Sequence, residues 1–265
     1  MKWIKALLTL LVFQVAALAR RAKTYKGKLD KLNQWYRLPI EGAVTSTGAQ
    51  YHAYIKKGKL NKLVFHFAGG GGSWCEETAP PATLLGALSG GDAGYYFPED
   101  WRLLEAALSG MLAADDPKNP FNDWCFIQLP YATADFHTGD NAFPYTGKNG
   151  KPGILQHKGE VNLSLALQQL APLFPDVSDL LVSGESAGAF ACVAQADKVA
   201  ACWPGCERIT VFADCAQMYY PKWKQVLREV WHAREELVEA AGDEGELIRG
   251  WFTRLSGRLG PSAQF

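Results

Sequence analysis

Short apolar runs that end in turn residues alternate along this chain with stretches of helical spacing. The runs are YHAYIK (51–56), KLVFHF (62–67), WCFIQL (124–129), DLLVS (179–183) and RITVFA (208–213). The later ones are nearly continuous in apolar residues, as strands buried on both faces should be. Between them, NLSLALQQLAPLF places Leu163, Ala166, Leu167, Leu170 and Phe174 on one face before Pro175 and Asp176 stop the helix. AFACVAQADKVAAC reads as a second helix. Strand, helix, strand and helix at this spacing imply right-handed crossovers and a mostly parallel sheet. Residues 69–118 form a long excursion between two strands, expected as an active-site loop with short helices. GKNGKPG (147–153) reads as a turn-rich loop, and 222–259 as amphipathic helices.

The N-terminus departs from this pattern. MKWIK is a short basic segment, and ALLTLLVFQVAALA (6–19) is a 14-residue apolar run ending in the small-x-small triplet Ala17-Leu18-Ala19. Fourteen residues fall short of the roughly 20 that a bilayer span needs. The basic RRAKTYKGKLDK follows directly, which opposes clean translocation of what comes after. Residues 1–19 are therefore a signal peptide or an uncleaved signal anchor, 20–33 a basic linker, and 34–265 a single α/β domain. The expected location is outside the cell or at its surface, with membrane association through the N-terminal segment as the alternative.

Charge narrows the partners. Lys+Arg and Asp+Glu both number 27, so no net field recruits nucleic acid or an acidic polymer. Six cysteines suit an exported protein, and their pairing is not readable from sequence. CWPGC lacks a second Cys or His pair at zinc spacing, so neither a metal nor another cofactor is expected.

The chemistry concentrates in SGESAGA. Gly184-x-Ser186-x-Gly188 follows a strand and opens a helix of small residues, the context a nucleophile elbow requires. The helix N-terminus beneath it favours developing negative charge. Independently, VFHFAGGGGSWC sets Gly69–Gly72 straight after a buried strand, where backbone amides can form half of an oxyanion hole. The expected donors are Gly70, Gly71 and Gly72, with Ala187 N–H as the other half. No Lys-Ser/Thr follows the glycines, which argues against a phosphate loop.

A serine hydrolase also needs a base and an acid, and in this fold they follow the serine in the order acid, then histidine. Asp214 and His232 satisfy that order, although His232 falls within an amphipathic stretch rather than on a loop. His137, in DFHTGD after a strand end, is the candidate substrate-pocket residue, and His66 reads as a core histidine.

Three segments in order resemble the pectin acetylesterase and Notum-like carboxylesterase family: YHAYIKKGKLNKLVFHFAGGGGSWC, PFNDWCFIQLPYATADFHTGD and LLVSGESAGAFACVAQAD. The resemblance runs from about residue 34 to residue 231. It implies an α/β-hydrolase fold, Ser186 as nucleophile, and an acetylated polysaccharide as substrate. It also implies a loss. Members carry their acid and histidine near further strands, while here GELIRGWFTRLSGRLG resembles the family's closing helix. A stretch between about residues 240 and 245 is therefore expected to be missing, with the late strands. Two readings follow: a serine carboxyl ester hydrolase working through an acyl-enzyme, or an impaired pseudo-esterase that binds a glycan or acyl group at the cell surface.

Overall fold

The computed structural model describes residues 22–82, 94–96, 110–113, 116–147 and 150–265. The apolar run 6–19 and most of the excursion 69–118 lie outside them. Among the described residues no helix is long and apolar enough to cross a membrane.

Among the described residues ten strands form: β1 (Lys23–Thr24), β2 (Trp35–Val44), β3 (Gln50–Lys56), β4 (Lys62–Phe67), β5 (Cys125–Leu129), β6 (Asn141–Thr146), β7 (Pro152–His157), β8 (Asp179–Glu185), β9 (Arg208–Asp214) and β10 (Ala263–Gln264). Eight of them make one sheet in the order β1-β2-β3-β5-β4-β8-β9-β10. β2–β3 and β3–β5 are antiparallel, and every other pair is parallel. All five apolar runs of the sequence lie in this sheet. Within the basic stretch 20–33, Lys23–Thr24 pairs beside β2. β6 and β7 form a separate antiparallel pair, in which Pro152 and Gly153, the end of the expected 147–153 loop, belong to β7.

The helices are α1 (Gly159–Leu170), α2 (Ala187–Ala200), α3 (Glu235–Ala240) and α4 (Ile248–Leu259). α2 buries nearly its whole length, because Ala, Gly and Cys let it lie close against β4, β8 and β9. The main core on that face includes Phe65, Phe67, Leu180, Val182, Phe190 and Val193. A smaller cluster of Trp35, Tyr54, Val64, Phe126 and Leu181 covers the other face. Strand alternation assigns Leu181, Ser183 and Glu185 to this second face.

After β9 the chain stops building sheet. Between Cys215 and Ser262 the described residues form helices and turns, with one isolated bridge between Tyr219 and Glu246. Among the described residues only β10 covers the edge of β9, pairing with Ile209 and Thr210. The turn at Gly242, whose N–H donates to Glu246 O, joins α3 directly to α4.

The expected helix over 222–240 is broken. A single turn at Trp223–Gln225 runs into a π-helical turn at Val226–Val230, and His232 follows with φ 51°. The wide turn shifts the helical phase so that Trp231 buries its indole completely, donating from Nε1 to Ser73 O at 2.6 Å. His232 is left exposed on the connection to α3.

Candidate active site

β8 climbs through the centre of the sheet and turns sharply at Ser186 into α2. Ser186 has φ 54° and ψ −121°, a conformation that costs of order 1–3 kcal/mol for a non-glycine residue and is held by its surroundings. Ser186 N–H donates to Asp214 O at 2.9 Å, bracing the elbow against the end of β9. Two glycines make the turn possible. A Cβ on Gly184 would lie 2.1 Å from Gly188 O, and one on Gly188 would lie 2.0 Å from Phe67 O. The result is an exposed hydroxyl at the start of a 14-residue helix. Ala187 N–H belongs to the first turn, where backbone amides have no intrahelical acceptor.

The glycine loop leaves β4 alongside this elbow. It is pinned at both ends. Ala68 N–H donates to Leu129 O, Gly72 N–H to Tyr95 O, and Ser73 N–H to Ala134 O. His137 Nε2 donates to Ala68 O at 3.1 Å, and Gly69 N–H donates to the Glu185 carboxylate at 2.8 Å. Among the described residues, Gly70 and Gly71 N–H have no acceptor. Gly72, expected as a third donor, spends its amide on Tyr95. Gly69 packs so closely on the elbow that a Cβ there would come within 2.9 Å of Ser186 Cβ. Gly70 sits equally tightly on the ring of Tyr131.

His137 lies behind this loop. It is 3% exposed, has φ 55°, and packs between Phe67 and Tyr131. The carbonyl of Ala68 can only accept, so Nε2 carries the ring proton. Burial lowers His137 to about 4, keeping the ring neutral. The fully buried Asp135 organises the same loop, accepting from Thr133 Oγ1 at 2.6 Å and from the amides of His137, Gly139 and Gly159. Burial raises Asp135 to about 7 although all four donors favour its charged form. No local sequence pattern marks Asp135 as an anchor, because its partners are backbone amides brought in by the fold.

The expected acid and base do not join the serine. The Asp214 carboxylate accepts from the Cys215 thiol at 3.3 Å, while only its backbone carbonyl serves the elbow. His232 forms no hydrogen bond with either residue. The other histidines are committed elsewhere among the described residues. His52 Nδ1 contacts Arg37 Nη2, His66 bridges Ser183 and Glu185, and His157 Nδ1 donates to Thr133 O. None of the five is bonded to Ser186 Oγ.

A bent serine at a helix N-terminus beside a glycine loop, at the C-terminal end of a mainly parallel sheet, is the arrangement of α/β-hydrolase-like esterases. The family model for pectinacetylesterase matches residues 40–242, and the chain belongs to that family of carboxylic ester hydrolases. Among solved structures it is similar to the Wnt deacylase Notum from Drosophila. The identity is 14% and the TM-score 0.58, covering 86% of this chain and 69% of that one. No curated protein sequence matches it.

Proposed function

We propose that this protein is a serine carboxylesterase that removes acetyl groups from an acetylated polysaccharide through an acyl-enzyme on Ser186. The observation that carries the reading is the pairing of the strained, exposed Ser186 with two unbonded glycine amides. Ser186 Oγ attacks the ester carbonyl carbon, and the carbonyl oxygen becomes an oxyanion held by Gly70, Gly71 and Ala187 N–H. The C–O bond to the sugar breaks, the alcohol leaves with a proton, and water then releases acetate. Donors of this kind are worth about 10²–10³ each in turnover. Family membership supports an acetylated polysaccharide as the substrate, and the N-terminal pattern supports export through a signal peptide at 1–19, with 34–265 as one catalytic domain.

A second reading has its own support. No histidine is bonded to Ser186, which favours a pseudo-esterase that holds a glycan or acyl group without turning it over. Removing triad members in serine hydrolases still leaves about 10³–10⁴ over water from binding and the oxyanion hole. An enzyme without a resident base is therefore expected to be slow rather than silent. The test is hydrolysis of p-nitrophenyl acetate by the purified chain beside Ser186→Ala. A Ser186-dependent rate supports the esterase; equal rates in both proteins support the binding reading.

A further inference from the structure

One polar cluster in the sheet has no part in the acyl-transfer scheme above. β4 and β8 run parallel with His66 opposite Ser183. On the face away from α2, Ser183 Oγ lies 3.0 Å from His66 Nδ1, and His66 Nε2 lies 2.7 Å from Glu185 Oε2. Glu185 Oε1 then accepts Gly69 N–H at 2.8 Å. Ser183 and His66 are 1% and 6% exposed, in strands whose neighbours are apolar. Burying such groups is costly unless each is satisfied, and here each hands its hydrogen bond to the next.

The chain of bonds ends at a mechanically important point. Gly69 is where loop and elbow touch, its absent Cβ falling 2.3 Å from Glu185 O. The two unbonded amides, Gly70 and Gly71, follow immediately. Between the pins at Ala68 and Gly72, Glu185 is the side chain that holds this loop among the described residues. Glu185 also immediately precedes Ser186, so one residue ties the nucleophile's own peptide to its oxyanion donors. The His66 partner and Gly69 N–H hold the Glu185 carboxyl below its usual range against the opposing effect of burial. Both contacts also offset its charge beside a site where negative charge develops.

We propose that Glu185, oriented by His66 and Ser183, is a positioning residue that sets the glycine loop at the correct distance from Ser186. The inference rests on the serine-esterase reading for its catalytic consequence, but the loop contact is testable without turnover. Two readouts serve, in the wild-type chain, Glu185→Ala and Glu185→Gln. One is hydrogen exchange of the peptide spanning Gly69–Ser73, and the other is the rate of covalent labelling by an alkyl fluorophosphonate. Glu185→Ala is expected to exchange faster in that peptide alone and to label about tenfold to a hundredfold more slowly. Glu185→Gln keeps an oxygen for Gly69 N–H and is expected to recover most of the rate. Unchanged exchange in Glu185→Ala overturns the proposal. So does faster exchange across the whole chain, which marks general destabilisation, or faster loop exchange with labelling at the wild-type rate. If the wild-type chain itself takes no label, the serine-esterase reading fails, while loop exchange still decides whether Glu185 holds the loop.

Discussion

β4 and β8 deliver their C-terminal ends to a loop pinned at both ends and an elbow braced on Asp214 O, whereas β9, the next strand over, lies near the edge of the sheet. β4 buries Leu63, Val64, Phe65 and Phe67 completely. β9 leaves Phe212 52% exposed, and among the described residues only the two of β10 pair along its outer side. Beyond β9 the chain packs as a buttress. Trp223, Trp231 and Trp251 are buried, and Arg254 reaches Asp197 at 2.7 Å and Glu236 at 2.6 Å. The difference separates two halves of an esterase. The proposed oxyanion donors need only local backbone geometry, which β4, β8 and α2 supply. A proton-transferring side chain needs placement from a distance, and the described residues beyond β9 pack against α2 instead of reaching Ser186.

The comparison breaks most visibly at Trp231, which joins the two regions through Ser73 O. Trp231→Ala removes a fully buried indole and is expected to cost about 3–5 kcal/mol in urea unfolding. It should also slow fluorophosphonate labelling, because Ser73 ends the glycine loop; labelling at the wild-type rate would make the buttress independent of the site.

Arg254→Ala should cost about 2 kcal/mol. It takes the most buried cation from Asp197 and Glu236 and leaves them Arg234 and Arg258, a loss discounted here for those partners and for the solvent that reaches Glu236. Arg228→Ala, which breaks the exposed pair with Glu235, should leave the unfolding midpoint unchanged. Equal effects from the two would deny the cluster its role in docking α4 on α2.

Stability also depends on pH. His137 and His157 are lowered by burial from 6.5 to about 4, so between those values the unfolded chain binds more protons and stability rises with pH. Asp135, raised from 3.8 to about 7, binds its proton in the folded state and lowers stability as pH rises through that window. Two histidines against one carboxyl give a net rise from about pH 4 to 6.5. Asp135→Asn is expected to steepen it, as read by unfolding midpoints across the range. Smallest of all, Phe212→Ser should change stability by less than about 0.5 kcal/mol, since the ring already lies half in solvent.

The central sheet and the elbow were legible in the sequence for physical reasons. Strands buried on both faces must be apolar at nearly every position, and an elbow tolerates only small neighbours. β2 was not legible. Its pattern is interrupted by Pro39, exposed Glu41 and Gly42, and its pairing shifts register between Pro39 and Val44. β6 escaped because its half-exposed NAFPYT carries a proline. The break before His232 was hidden because a π turn keeps helical spacing on both sides while changing which face each side presents. The Ser183–His66–Glu185 chain depends on strand register between residues 117 apart, which no local pattern encodes. The glycine run announced the donor loop, but the loss of Gly72 to Tyr95 depends on a contact made by the excursion.

The measurement closest to the central claim is the intact mass of the chain after exposure to an alkyl fluorophosphonate, with the adduct mapped by peptide. This account predicts one adduct per chain, carried by the peptide containing Ser186 and absent from Ser186→Ala. An unmodified wild-type chain, or an adduct that persists in Ser186→Ala, would contradict it.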